Sequence, residues 1–230
     1  MMQAANTQRD RKDGPYIVGF SGPPGSGKDS TAKVLAEKLR LQTTMPVEVV
    51  SLTAPLRDIA TRVFGLDKMA SGAEELRALY EKYKDVKREE FRGDSIRRFM
   101  IELSERFMKP RYGKAIWAQL MLDAFSPKRP RILLVTDLGF LEEVEFFQQW
   151  TYAEKVACVE LERAGCDWAG DSRNYIPKRF WFHSAVDDEE VWNIRRFQND
   201  RDIESLALKI LDWLNEELRW DIVDFDRYPI

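Results

Sequence analysis

Gly22-Pro23-Pro24-Gly25-Ser26-Gly27-Lys28-Asp29-Ser30-Thr31 is the stretch whose reading decides the fold. It follows a β-rich run, Tyr16 to Phe20, and opens a helical pattern from Lys28 to Leu39. The spacing fits G-x-x-x-x-G-K, in which glycines let the backbone curl tightly enough to aim successive N–H groups at one phosphate. The helix N-terminus adds about half a positive charge at the same point. Gly22, Pro23, Pro24, Gly25, Ser26, Gly27 and Lys28 are thus the expected phosphate cradle, with Lys28 reaching the outer phosphates. A Gly-rich strand-to-helix turn without a ligand is the alternative, and the strand before and helix after weigh against it.

The residue after Lys28 is Asp29, where this loop ordinarily carries Ser or Thr as a magnesium ligand; Ser30 and Thr31 are displaced by one and two positions. A carboxylate is a hard oxygen donor suited to Mg²⁺, directly or through water. Asp29 and Ser30 are therefore read as metal-shell residues, the alternative for Asp29 being an anion that stabilises the helix dipole.

Outward from the loop, β-rich runs alternate with helical patterns, the signature of parallel α/β architecture. Further strands are expected at Val47 to Leu52, Arg131 to Thr136 and Val156 to Leu161. Helices are expected at Pro55 to Phe64, Ser95 to Met108, Glu142 to Trp150 and Ile203 to Leu218, the last capped by Asp202. In the second of these, Ile96, Phe99, Met100, Leu103 and Phe107 share one face. Leu66 to Gly93 carries alternating charge and little apolar pattern, as a solvent-facing helical insert would. The expected whole is a three-layer α/β/α fold with a mainly parallel sheet spanning 15–230, an insert at 53–125, and a tail at 1–14.

The chain has 230 residues, 44% hydrophobic and 33% charged, so it can bury a core beneath an ionised surface. Lys plus Arg (36) nearly cancel Asp plus Glu (39), and the net charge of −3 argues against binding nucleic acid by bulk charge. Two cysteines, Cys158 and Cys166, make no disulfide scaffold, and a single histidine, His183, makes a zinc site improbable. Met1 to Gly14 lacks the apolar core of a signal peptide, and no run reaches the length of a spanning helix. A cytoplasmic protein with no membrane partner is expected.

The segment GKDSTAKVLAEKL, then a strand and Ser51-Leu-Thr-Ala-Pro-Leu-Arg57-Asp, resembles the deoxynucleoside monophosphate kinases of bacteriophages. Asp94-Ser-Ile-Arg97-Arg98 before Trp117 and Asp137-Leu-Gly-Phe140-Leu-Glu142-Glu143 continue the likeness, as do Arg163, His183-Ser184 and Asn199-Asp200. It covers about residues 16–216 through short motifs. Gly139 stands where that family has Arg, and Ile96 where it has Pro before Arg97. The resemblance implies ATP and Mg²⁺, small-molecule nucleotides as partners, and a host-cytoplasm location if the source is a phage; a homodimer is left open. Its rivals are a kinase for another phosphorylated small molecule, such as the phosphomevalonate kinases of animals, and a nucleotide-binding regulator without transfer chemistry.

Asp137 ends an apolar strand, where doubly wound sheets present ligands, so it is a candidate for metal or acceptor, or else a helix N-cap. Arg57, in the first turn of a helix, is unfavourable there unless an anion sits nearby, and Arg forks onto phosphate bidentately. Arg97 and Arg98 point to different sides of their helix, and the resemblance favours Arg97 for acceptor phosphate. Arg163 to His183 lacks periodicity and is expected to be a lid that excludes water, with Arg163 and Arg173 offsetting phosphoryl charge and Arg173 also a candidate substrate contact, or else a plain surface loop. Phe180-Trp181-Phe182 reads as packing under that loop, and His183 is given no general-base role. Asn199 and Asp200 would frame adenine if the resemblance holds, and are otherwise an ordinary turn and cap.

Overall fold

The computed structural model describes residues 15–89, 93–125, 132–151, 155–169, 173–181, 183–186, 189–218 and 220. The expected tail at 1–14, Arg131 at the start of the third expected strand, and Phe182 lie outside them.

Five strands build the central sheet: β1 (Tyr16–Ser21), β2 (Val47–Val50), β3 (Ile132–Val135), β4 (Val156–Glu162) and, further along the chain, β7 (Ile194–Gln198). Their order is β2-β3-β1-β4-β7 and every pairing is parallel. Gly19 pairs with both Val135 and Cys158, so β1 is central. In β3 the run Ile-Leu-Leu-Val is buried throughout, as expected for a strand covered on both faces. The short β5 (His183–Val186) and β6 (Glu189–Trp192) pair with each other in an antiparallel ribbon.

On one face, α1 (Lys28–Gln42) and α8 (Ile203–Asp212) pack together, Leu35, Leu39, Leu206 and Ile210 meeting Val18, Phe20, Leu134 and Val159. Lys38 adds a salt bridge to Glu204 at 2.5 Å. The Asp202 carboxylate accepts from the Ser205 amide and caps α8, as the sequence indicated. Toward the other face, α7 (Leu141–Trp150) buries Val144 and Phe147.

The chain divides into two compact units, 1–51 with 125–230, and Leu52–Ala124. The second unit comprises α2 (Ala54–Val63), α3 (Ala73–Tyr83), α4 (Ile96–Glu102), a π-helical stretch Leu103–Met108, α5 (Lys109–Tyr112) and α6 (Ile116–Phe125, which runs one residue past it). Its core gathers Leu56, Phe64, Tyr80, Ile96, Met100 and Trp117. The Trp117 indole donates to the buried Ser104 hydroxyl at 2.8 Å.

The structure corrects the sequence reading in two places. The helix expected over Ser95 to Met108 begins on Ser95 as N-cap but widens to π-winding after Glu102. Because π-turns change the angular step per residue, Phe107 leaves the apolar face and stands exposed beneath the Arg111 guanidinium. Ile203 to Leu218 likewise ends in π-winding from Trp213. The second correction is β7, a strand whose sequence Ile-Arg-Arg-Phe-Gln buries only Ile194 and Phe197 and so carries no apolar run. Charged residues on a strand at the margin of a sheet are ordinary, since they discourage further pairing.

Candidate functional site

The glycine-rich loop expected to cradle phosphate leaves the carboxyl end of β1, the strand at which the sheet's neighbour order switches. Gly25 and Gly27 have φ of +80° and +95°, the left-handed region that L side chains resist. Gly27 immediately precedes α1, so the loop amides meet the helix N-terminus as the motif requires. The chain has the three-layer α/β/α fold of P-loop proteins.

Lys28 folds back over the loop, its Nζ donating to the Gly22 carbonyl at 2.7 Å and the Pro23 carbonyl at 2.9 Å. Two side chains from outside brace the loop. Arg163, just after β4, donates to the Gly25 carbonyl at 3.1 Å. Asn199, just after β7 and buried, donates from Nδ2 to the Ser26 carbonyl at 2.8 Å and accepts from the Arg201 amide at 3.0 Å. The Asn199 side chain, expected to frame adenine if the resemblance holds and otherwise to be an ordinary turn residue, thus holds the loop. The hydroxyls of Ser21, Ser26 and Thr31 are buried around the same loop without hydrogen-bond partners. Asp29 and Ser30 are exposed in the first turn of α1.

A second element of the site is the turn after β3. Asp137 accepts from the Ser51 hydroxyl at 2.8 Å, joining the ends of β3 and β2. The buried Glu143 carboxylate accepts from the Gly139 and Phe140 amides, both at 3.1 Å, which fixes the turn at the start of α7. Leu138 is buried against Gly19 of β1. The stem of Arg173 lies across Gly139, so a side-chain carbon at 139 would come within 2.5 Å of Arg173 Cδ. Arg163 and Arg173 thus both reach the carboxyl edge of the sheet from the segment that follows β4.

The expected lid falls partly outside the described residues, at 170–172 and 182; where it is described, 163–169 and 173–177 carry no helix or strand and a short 3-10 turn follows at Lys178–Phe180. A polar cluster that the sequence reading missed pins it down. Arg196 of β7 donates to Glu160 at 2.9–3.0 Å and to Glu162 at 2.8 Å, and its guanidinium stacks 4.2 Å from the Tyr175 ring centroid. The Tyr175 hydroxyl donates to the Leu161 carbonyl at 3.0 Å, and Trp168 meets Tyr175 edge-on at 5.3 Å. Burial pushes the Glu160 carboxyl above its ordinary range, with the Arg196 hydrogen bonds pulling it back in part. A glutamate inside the otherwise apolar Val-Ala-Cys-Val-Glu-Leu was the available signal. Trp181 is buried, and Phe180 half-buried beneath Arg179, in line with packing under the loop.

The candidate acceptor arginines belong to the other unit, and they differ among themselves. Arg57 is half-buried, 5.1 Å from the Tyr80 ring centroid, with its Nε buried and unpartnered and no carboxylate on it among the described residues. Arg97 grips Asp85 at 2.5 and 3.2 Å on the surface and holds that carboxyl below its usual range. Arg98 pairs with Asp94 at 3.2 Å and Glu102 at 3.4 Å. Of the three, Arg57 is the one with no carboxylate on it among the described residues, and its Nη2 donates to the Thr53 hydroxyl at 3.5 Å.

Oxygen donors are the right chemistry for magnesium, and Asp29, Ser30 and Asp137 supply them at the loop and the β3 end. Among the described residues no cluster of three or more His, Cys, Asp or Glu could hold a metal alone. Both cysteines are free thiols, Cys158 buried in β4 and Cys166 half-exposed. No described helix is long and apolar enough to cross a membrane.

No protein-family model matches the chain, and no curated protein matches it in sequence. Among solved structures, a point mutant of the APS kinase of Mycobacterium tuberculosis is similar at 18% identity and a TM-score of 0.38. That match covers 88% of this chain and 98% of that one.

Proposed function

We propose that this protein is a P-loop kinase that transfers the γ-phosphoryl group of ATP to a deoxynucleoside monophosphate, giving the diphosphate. The observation that carries the reading is the braced phosphate loop: Gly25 and Gly27 turned left-handed, Lys28 folded over the loop, and Arg163 and Asn199 holding two of its carbonyls. In this role the loop amides and Lys28 hold the donor phosphates, and Arg163 stands beside them to offset charge on the moving group. Asp29, Ser30 and Asp137 would hold Mg²⁺, which supplies charge neutralisation when bound. The acceptor's phosphate oxygen is already anionic near neutral pH, so positioning suffices and no general base is needed.

The choice of acceptor is supported by the motif resemblance and by Arg57, a half-buried guanidinium beside Tyr80 with no carboxylate on it among the described residues, whose chemistry suits a phosphate. Arg97 and Arg98 would have to leave their carboxylates to assist. The test is an ADP-release assay with the four deoxynucleoside monophosphates, their ribose forms and phosphomevalonate. Turnover with at least one deoxynucleotide is expected. Turnover only with another phosphorylated metabolite, or ATP binding with no phosphorylated product, would overturn the reading. Lys28→Ala should abolish turnover while leaving the circular-dichroism spectrum and melting temperature close to wild type.

A further inference from the structure

Gly139 poses a question that its backbone does not answer. Its φ lies outside the left-handed region, so nothing in the local conformation calls for glycine. The reason is steric. An ideal Cβ at 139 would stand 3.4 Å from Arg173 Cβ, 3.0 Å from Cγ and 2.5 Å from Cδ, the last closer than real carbons approach. The separation shrinks outward along the side chain, so the arginine stem runs down onto residue 139 and its guanidinium begins one bond beyond the tightest contact.

The berth is rigid. Glu143 holds the Gly139 and Phe140 amides, Leu138 packs against Gly19 of β1, and Asp137 is tied to Ser51. Gly139 lies two positions after Asp137, just past the carboxyl end of β3, and β3 lies directly beside the strand that delivers the glycine-rich loop. The arginine itself comes from the segment after β4, whose Arg163 already touches that loop and whose Tyr175 is clamped by Arg196.

Resting on the kinase reading above, we propose that Gly139 and Arg173 are one unit: the glycine is the berth through which Arg173 lends the β3 end a guanidinium that binds the acceptor's phosphate monoester. A fork of N–H donors matches a phosphate dianion, and a berth fixed by packing limits the entropy lost on binding. Acceptor capture then depends on Arg173 lying across Gly139.

The test is a cycle of wild type, Gly139→Ala, Arg173→Ala and the double variant, with Arg173→Lys alongside. Equilibrium titration with each deoxynucleoside monophosphate without ATP, ATP affinity, acceptor KM and kcat, and melting temperature are read for each. Arg173→Ala should weaken monophosphate binding by about tenfold to a hundredfold, the loss expected for a charge-assisted hydrogen bond, with ATP affinity within about twofold of wild type. Gly139→Ala should reproduce the loss. The double variant should be no worse than Arg173→Ala, because with alanine at 173 the nearest atom is the Cβ at 3.4 Å, an ordinary contact. Arg173→Lys should recover part of the binding. Additive losses, unchanged monophosphate binding in Arg173→Ala, or a Gly139→Ala effect confined to the melting temperature would overturn the proposal, as would a wild-type protein that binds no monophosphate. Monophosphate binding that follows the cycle without any turnover would leave this unit standing and remove the kinase reading; turnover that is indifferent to all the variants would do the reverse.

Discussion

Replacing Asn199 with alanine isolates the brace on the phosphate loop. The side chain is 5% exposed and makes two bonds, from Nδ2 to the Ser26 carbonyl at 2.8 Å and to Oδ1 from the Arg201 amide at 3.0 Å, while its own amide donates to the Glu162 carbonyl. It therefore ties the end of β4, the loop and the turn into α8 at one point, and Arg201 beside it holds the uncommon φ of +86°. Truncation removes both bonds and leaves the Ser26 carbonyl without that donor in a buried place. The cost of such a buried loss is about 1–3 kcal/mol. For a chain of this size each kcal/mol lowers the melting temperature by roughly 2–4 °C. A loop whose amides are no longer aimed by this brace should also bind ATP more weakly, by about tenfold if 1.4 kcal/mol of the loss is felt at the site. Asn199→Asp separates the two effects. It keeps an acceptor for Arg201 but sets a carboxylate against the Ser26 carbonyl and the nucleotide phosphates, so ATP affinity should fall further than in Asn199→Ala. Titration with ATP and thermal melts of the three proteins check this. An Asn199→Ala protein with wild-type ATP affinity and melting temperature, or an Asn199→Asp protein that binds ATP as well as wild type, would refute the argument.

Three further outcomes are expected. Gly19→Ala should destabilise the fold by about 1–3 kcal/mol, since its Cβ would enter the space of the buried Leu138 side chain; denaturant titration measures it, and an unchanged midpoint would refute the packing argument. A thiol reagent should modify Cys166 quickly and Cys158 only on unfolding, because Cys158 is fully buried and burial raises its thiol pKa well above the ordinary value. ATP should slow the Cys166 reaction, as its Sγ lies 3.3 Å from where a Gly25 side chain would begin. Glu160→Gln should flatten the pH dependence of stability. The folded state raises the Glu160 carboxyl above 4.5 chiefly by burial and so binds its proton more tightly than the unfolded chain does. Wild-type stability should therefore decline as pH rises from 4.5 through the raised value, and denaturation of the Gln variant across that window should lack this component.

What could be read from the chain alone was whatever local spacing controls. The glycine spacing from Gly22 to Gly27, the apolar run Ile132 to Val135 and the cap at Asp202 each depend on neighbours in sequence, and the loop, the buried strand and the helix start lie where those signals put them. Tertiary structure decided the rest, because it depends on residues far apart in the chain. Pairing with β4 makes a strand of Ile194–Gln198, a segment with two apolar residues, and a desolvated Glu160 opposite Arg196 is legible only once that register exists. Arg57 and Arg97 look alike in sequence, yet Asp85 neutralises Arg97 while Arg57 lies beside Tyr80 with no carboxylate on it among the described residues. Asn199 reads as a turn residue until its amide is found on Ser26, 173 positions away in the chain. Gly139 reads as a lost arginine until Arg173 is found lying across it. A motif can specify the curl of a backbone through its own sterics, whereas which distant side chain braces that curl, or fills a gap beside it, follows from how the sheet and its loops pack.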